Sequence, residues 1–435
     1  MLFVNQDKKA FLNKIPLLEA DGHKRYSGII LEGRPGIGKT SFAMSVVPNV
    51  PRSRVVRIPM ATRTYEEFGS YPFPVKESVT GYAFDEDGNV LKENGVAVKE
   101  EREVVRVHQA LSEVSIEPLL EENIGDDYGI LILDDVTLGD PRLQNALLEI
   151  VQFGVIAGRQ LGKNVIIFLT GNKTDDGAYA IEWSTPLVGR CVKISLEPNF
   201  QTWLTVDENQ DVDPTVVGFL QEHPAYFAPV SGDPKTTDPD GRTPSPRDWT
   251  RLGLAMNKVG GYANFEPDFI FTSQMVYASS MVGSLGGQAY DQYARTFATY
   301  PSALSLLEDL SLWDDVPEEQ KDMLSGTIGV IFGLRNVTVK NLERIQEMKG
   351  KAQGEEAFEA LNKMMDVIYK ISEQNREVIS FGLSSINAWV EQGDAKERGF
   401  ANVALAKVIT QEKFIKCEEF KAFLSATWEY KQKSK

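Results

Sequence analysis

Residues Gly33 to Thr40, GRPGIGKT, have the composition and spacing of a loop that wraps an anion: G-x-x-x-x-G-K-T set between an apolar run and a helical pattern. Gly33, Gly36 and Gly38 let the backbone curl so that its N–H groups face anionic oxygens, and the helix that follows adds a favourable field. In such a loop Lys39 reaches the β and γ phosphates of a nucleotide and the Thr40 hydroxyl binds Mg²⁺. The expected cofactor-binding set is therefore Gly33, Arg34, Pro35, Gly36, Ile37, Gly38, Lys39, Thr40 and Ser41. ATP and Mg²⁺ are the cofactors this pattern asks for.

Two further positions could complete the chemistry. The apolar stretch ILIL ends in Asp134-Asp135, and ligands of open parallel sheets collect where strands end. Asp134 suits the metal and Asp135 the polarisation of an attacking water, although a solvated acidic turn would read alike. Asn172 closes NVIIFLTGN, where an amide could place water near the terminal phosphate or simply precede a turn. Arg190 and Arg247 are the outlying cations. Taken alone, each is an ordinary surface or salt-bridge residue.

These residues need a scaffold. Short apolar runs at 26–33, 55–59, 128–135, 164–172 and 191–198 carry consecutive Ile, Leu, Val and Phe rather than alternation, as in strands covered by helices on both faces. Helical patterns lie between them, at KTSFAMSVV and at 141–152, so the expectation is an α/β fold with a parallel sheet. Residues 61–104 are polar, aromatic and punctuated by Gly and Pro, with a turn at FDEDGNV, and look inserted. FGVIAGRQLGK, with Gly158 between two short arms, reads as a β-hairpin. After a helix starting near 212 and a polar loop, Ser245, Pro246 and Asp248 have the order of a helix cap. Helical patterns follow over about 266–310, 353–391 and 401–429. Met364, Met365, Val367, Ile368 and Ile371 form an apolar face that suits a bundle core or an interface, and Trp389 and Trp428 share that ambiguity.

Composition narrows the classes. The 435 residues carry 62 acidic against 46 basic side chains, a formal charge of -16, which disfavours nonspecific coating of nucleic acid. Two cysteines, Cys191 and Cys417, and three histidines, His23, His108 and His223, are too sparse for a disulfide scaffold or a metal centre built on them. No run of about 18 apolar residues and no secretory signal is present, so a cytoplasmic location is expected.

The ordered series resembles the AAA+ ATPases, and within them the MoxR-like group, over about residues 10–300. GRPGIGKT matches Walker A, LILDD Walker B, TGN the sensor 1 motif at Asn172, PLVGR the arginine finger at Arg190, and PSPRDW sensor 2 at Arg247. EEFGSYPFP and FGVIAGRQLGKNV resemble the family's segment before the helix 2 insertion and its hairpin before sensor 1. The resemblance implies an ATP hydrolase in a ring, commonly a hexamer, with Arg190 serving a neighbour's nucleotide and Arg247 its own. It also implies remodelling of a protein partner, often one with a von Willebrand factor A domain. The implied divisions are an α/β domain over 1–210, a helical lid over 240–305 and a helical extension over 306–435 without a family counterpart. Asp135 stands where the family has Glu, shortening the carboxylate by one methylene, and misplacement by about 1 Å can slow chemistry strongly.

Two other functions fit. A DNA-associated motor or helicase loader would need a positive pore, for which Arg159 and Lys163 are the candidates. A nucleotide-controlled scaffold with slow hydrolysis is the other, and Asp135 is the feature that favours it.

Overall fold

The computed structural model describes residues 19–20, 23–24 and 28–416, apart from 46–49, 64–70, 84–89, 91, 94–95, 111–115, 157, 175–178, 207–208, 231, 349, 374–376 and 393–397. The turn at FDEDGNV, most of the EEF segment before Tyr71, Cys417 and Trp428 lie outside the described residues. Two compact units divide between Leu196 and Glu197, with Pro35–Ile37 counted in the second.

The first unit is built on a five-stranded parallel sheet. Its strands are β1 (Gly28–Glu32), β2 (Val55–Pro59), β5 (Gly129–Asp134), β8 (Val165–Gly171) and β9 (Cys191–Ser195). They lie in the order β9-β1-β8-β5-β2, and every neighbouring pair is parallel. β5, GILILD, is buried at all six positions, which is why its sequence runs apolar without alternating. Each buried Ile or Leu contributes about 1.5–3 kcal/mol. Helix α1 (Lys39–Ser45) follows the glycine-rich loop, and α2 (Leu143–Phe153) buries Leu143, Leu147, Ile150 and Val151 in the core that also holds Ile30, Leu131 and Leu169.

Two hairpins leave the sheet. β3 (Tyr71–Tyr82) pairs antiparallel with β4 (Lys99–Ala110) along twelve positions, so the polar segment that looks inserted is a long two-stranded arm whose return strand runs on to Ala110. The second hairpin joins β6 (Val155–Ile156) to β7 (Arg159–Gln160), with Gly158 at φ 73° in the turn. Its position and its glycine are those the sequence pattern indicates.

The second unit is helical. α3 (Pro214–Glu222), α4 (Pro246–Lys258), α5 (Gln274–Val282) and α6 (Ser284–Phe297) surround a cluster containing Trp249, Phe219, Tyr290 and Tyr293. α4 opens with the capping box anticipated from Ser245 and Asp248: the Ser245 side chain accepts from the Asp248 N–H, and the Asp248 carboxylate accepts from the Ser245 N–H. Residues 265–273 contain no α-helix, so helix begins at Gln274 rather than near 266.

Beyond the short α7 (Ala303–Glu308), the long helices are α8 (Leu324–Gln346), α9 (Lys351–Ser372), α10 (Glu377–Gln392) and α11 (Gly399–Ile409). The 23-residue α8 lies within the expected helical extension but outside the helical patterns read at 266–310, 353–391 and 401–429. Its opening turns, LSGTIGVIFGL, are rich in Gly and β-branched residues that disfavour helix, and it is buried nearly all round, leaving no amphipathic stripe. Ile328 and Phe332 enter the cluster around Trp249, whereas Val330, Ile331 and Leu334 enter the cluster of α9–α11. The glycines have a packing reason. A Cβ at Gly329 would sit 2.9 Å from the Pro214 carbonyl oxygen, and one at Gly326 2.4 Å from the Tyr300 hydroxyl. Met364, Met365, Val367, Ile368, Ile371 and Trp389 all belong to the core of this bundle, which settles their ambiguity in favour of packing.

Candidate functional site

At the C-terminal edge of the parallel sheet, three segments far apart in sequence meet. β1 delivers the glycine-rich loop, β5 delivers Asp134 and Asp135, and β8 delivers Thr170, Gly171 and Asn172. Parallel pairing in register fixes this convergence: Leu133 lies opposite Leu169, and Gly171 opposite Glu32. The loop is further tied down by the Gly33 N–H, which donates to the Gly171 carbonyl at 3.2 Å.

The loop turns where glycine is required. Gly36 and Gly38 have φ of 76° and 90°, a region that side-chain-bearing residues rarely enter. Lys39 then folds back, and its Nζ donates to the carbonyl oxygens of Gly33 at 2.8 Å and Arg34 at 2.9 Å, and to Asn172 Oδ1 at 2.8 Å. The ammonium is buried and held over its own loop. Charge-assisted donors of this kind transfer readily to phosphate oxygens, which accept in the same geometry.

Thr40 and Asp134 are in direct contact. The threonine hydroxyl donates to Asp134 Oδ1 at 2.8 Å. A hydroxyl and a carboxylate side by side are hard oxygen donors, the set that suits Mg²⁺, which ordinarily keeps several waters and takes one or two protein oxygens. The residues present therefore fit the ion, and Thr40 and Asp134 are the two that could hold it.

Asp135 has φ 56° and ψ 44°, a left-handed conformation without glycine. Asp is among the few residues that tolerate it, and such strain concentrates at functional sites. Its N–H donates to Thr170 Oγ1 at 2.9 Å, and the same threonine donates to Asp134 Oδ1 at 2.5 Å. Thr170 thus clamps the acidic pair from the neighbouring strand. Asn172 is oriented in turn, since its N–H donates to the buried Thr137 hydroxyl at 2.8 Å.

Lys39, Thr40, Asp134 and Asn172 are accordingly linked through these contacts, with Asp135 adjoining. Arg190 is placed elsewhere: exposed, it donates from Nε to Gln152 Oε1 at 2.9 Å and from Nη1 to the Pro186 carbonyl at 2.9 Å. Arg247 lies in the first turn of α4, within the second unit. There its N–H donates to the Gly36 carbonyl at 3.2 Å, Gly36 being one of the three loop residues counted in that unit. Ser41 is exposed at the start of α1.

Sequence reasoning misses three contributors. Thr170 precedes the conspicuous Gly-Asn and is ordinary in a strand, and Thr137 lies in a short turn. Arg57 is the third, a lone cation inside the apolar run VVRIP, and its guanidinium contacts Asp134 Oδ2 through Nε at 2.6 Å and through its terminal nitrogen at 2.5 Å. A charged residue inside an otherwise apolar run was the available signal.

No family model and no curated protein matches the chain. Among solved structures, it is similar to a candidate ATPase from Cytophaga hutchinsonii, at 14% identity over 55% of this chain and 71% of that one, with a TM-score of 0.23. It is also similar to NtrX from Brucella abortus, at 14% identity over 78% and 64% of the two chains and a TM-score of 0.25. A DNA polymerase III gamma subunit-related protein from Thermotoga maritima aligns at 10% identity over 88% and 96%, with a TM-score of 0.21. The functional reading rests on the side-chain geometry.

Proposed function

We propose that the chain is a Mg²⁺-dependent ATP hydrolase of the AAA+ type, related to the MoxR-like group, that remodels or activates a protein partner. The observation that carries this reading is the contact network at one sheet edge: Lys39 with Asn172, and Thr40 with Asp134. In it the glycine-rich loop and Lys39 hold the phosphates. Thr40 and Asp134 hold Mg²⁺, which when bound supplies charge neutralisation of the developing phosphate oxygens. Asp135 and Asn172 orient the attacking water.

Arg190 and Arg247 extend the proposal beyond one chain. Arg190 is exposed and outside the lysine network, which suits service to the nucleotide of a neighbouring copy in a ring, expected to be a hexamer. Arg247 couples its helix to the nucleotide held by its own chain. A von Willebrand factor A domain protein is the candidate partner. ATP turnover and particle mass of the wild type, Lys39→Ala, Asp135→Asn and Arg190→Ala test this. Turnover present in the wild type and lost in all three variants supports the hydrolase; absence of ATP binding by the wild type overturns it.

A nucleotide-controlled scaffold with slow hydrolysis is the second reading, and Asp135 favours it through its short carboxylate. Rings that depend on nucleotide without measurable turnover would select it. A nucleic-acid motor is less well supported. Arg159 is paired with Glu117 and with Glu122, and Lys163 with Asp126, so both of its candidate cations are engaged by acids.

A further inference from the structure

We propose that Arg57 is an internal counter-ion for the metal-binding carboxylate, so that a divalent cation must compete with its guanidinium for Asp134. This inference rests on the nucleotide-site reading above and adds a control over it. β2 runs parallel to β5 with Pro59 opposite Asp134, and Arg57, two residues earlier, projects from the same face of the strand. The long side chain spans the remaining distance along the sheet.

The two oxygens of Asp134 are divided between different partners. Oδ1 accepts from Thr40 at 2.8 Å and Thr170 at 2.5 Å, whereas Oδ2 accepts both contacts from Arg57. Asp134 is 2% exposed and Arg57 51%, so the pair has a dry end and a wet end. A buried carboxylate stripped of its counter-charge is strongly unfavourable, and Arg57 removes that penalty while the metal is away. Its exposed body also gives it somewhere to go, because a guanidinium that swings into water loses little.

A divalent cation near Oδ2 and a guanidinium in contact with the same oxygen repel each other. Metal uptake by the protein alone is therefore held weak. A polyphosphate arriving with the metal brings enough negative charge to offset Arg57, or to accept it as a donor, so metal and nucleotide enter together. The arrangement guards against an idle metal-loaded site.

The test is Mn²⁺ binding, followed by electron paramagnetic resonance, to the wild type, Arg57→Gln, Arg57→Lys and the double variant Arg57→Gln/Asp134→Asn, without nucleotide and with ADP. Without nucleotide, Arg57→Gln should bind Mn²⁺ about tenfold or more tightly than wild type. Arg57→Lys should remain close to wild type, and the double variant should lose the gain. Equal affinity in wild type and Arg57→Gln, weaker binding by Arg57→Gln, or a gain that survives loss of Asp134 would each overturn the proposal. A fluorescent ADP analogue titrated into wild type and Lys39→Ala in parallel separates the two claims. Failure of the wild type to bind it sinks the nucleotide reading, whereas the Mn²⁺ comparison alone judges Arg57.

Discussion

Lys39 and Asn172, separated by 133 positions, share a hydrogen bond of 2.8 Å from the lysine ammonium to the asparagine oxygen. The bond joins the glycine-rich loop to the end of β8, and the Gly33 and Arg34 carbonyls hold the same ammonium. On the proposed function, an entering nucleotide replaces part of this cage with phosphate oxygens. Asn172→Ala removes one competing acceptor without touching the loop, so nucleotide affinity should stay within about threefold of wild type. Turnover should fall by about 10²–10³, the usual loss on deleting one polar group aimed at the reacting centre. Equal turnover in the two proteins would contradict the assigned role.

Thr170 is the least conspicuous member of the site and among the most connected. Replacement by Val keeps its shape but leaves Asp134 without one donor and the Asp135 N–H without its acceptor. Thr170→Val should lower unfolding free energy by roughly 2–3 kcal/mol in denaturant titration. Thr170→Ser should recover most of that loss. A Val variant as stable as wild type would show that the clamp is unimportant.

Asp213 caps α3 by accepting from the Thr215 N–H at 2.9 Å, yet it is only 5% exposed, and burial raises its carboxyl above the ordinary range. The native chain therefore holds this proton more firmly than the unfolded one. Its contribution is present below the unfolded value near pH 4 and is lost as pH rises through the raised native value. Asp213→Asn keeps the capping oxygen and abolishes the buried charge. It should melt higher than wild type at pH 7 and show little advantage near pH 3; a lower melting temperature at pH 7 would mean that the charge itself is needed.

Cys191 begins β9, where burial pushes its thiol up to about 12 despite a hydrogen bond with the Gly28 backbone. Reactivity follows the thiolate. Iodoacetamide at pH 8, with peptide mass mapping, should leave Cys191 unmodified in the native protein and label it quickly after denaturation. Rapid native labelling would place the thiol in a different environment.

Much of this site was legible because its parts obey local rules. GRPGIGKT declares a turn by its glycines, ILILDD declares a covered strand by its unbroken apolar run, and Ser245-Pro246-Arg247-Asp248 declares a helix start by its cap. Thr170, Thr137 and Arg57 could not be read in the same way, since their roles come from partners brought across the sheet by strand order. α8 was hidden for the opposite reason. Its glycines at 326 and 329 answer the close approach of Tyr300 and Pro214, and the β-branched residues of its opening turns are buried, so tertiary packing overrides the local preference against helix.

The most direct test is the binding of ATP in the presence of Mg²⁺, measured by isothermal titration calorimetry on wild type and Lys39→Ala. Saturable binding by the wild type, weakened at least about tenfold in the variant, is the predicted result. No ATP binding by a folded wild-type protein, or equal binding by Lys39→Ala, would contradict the assignment of this sheet edge as a nucleotide site.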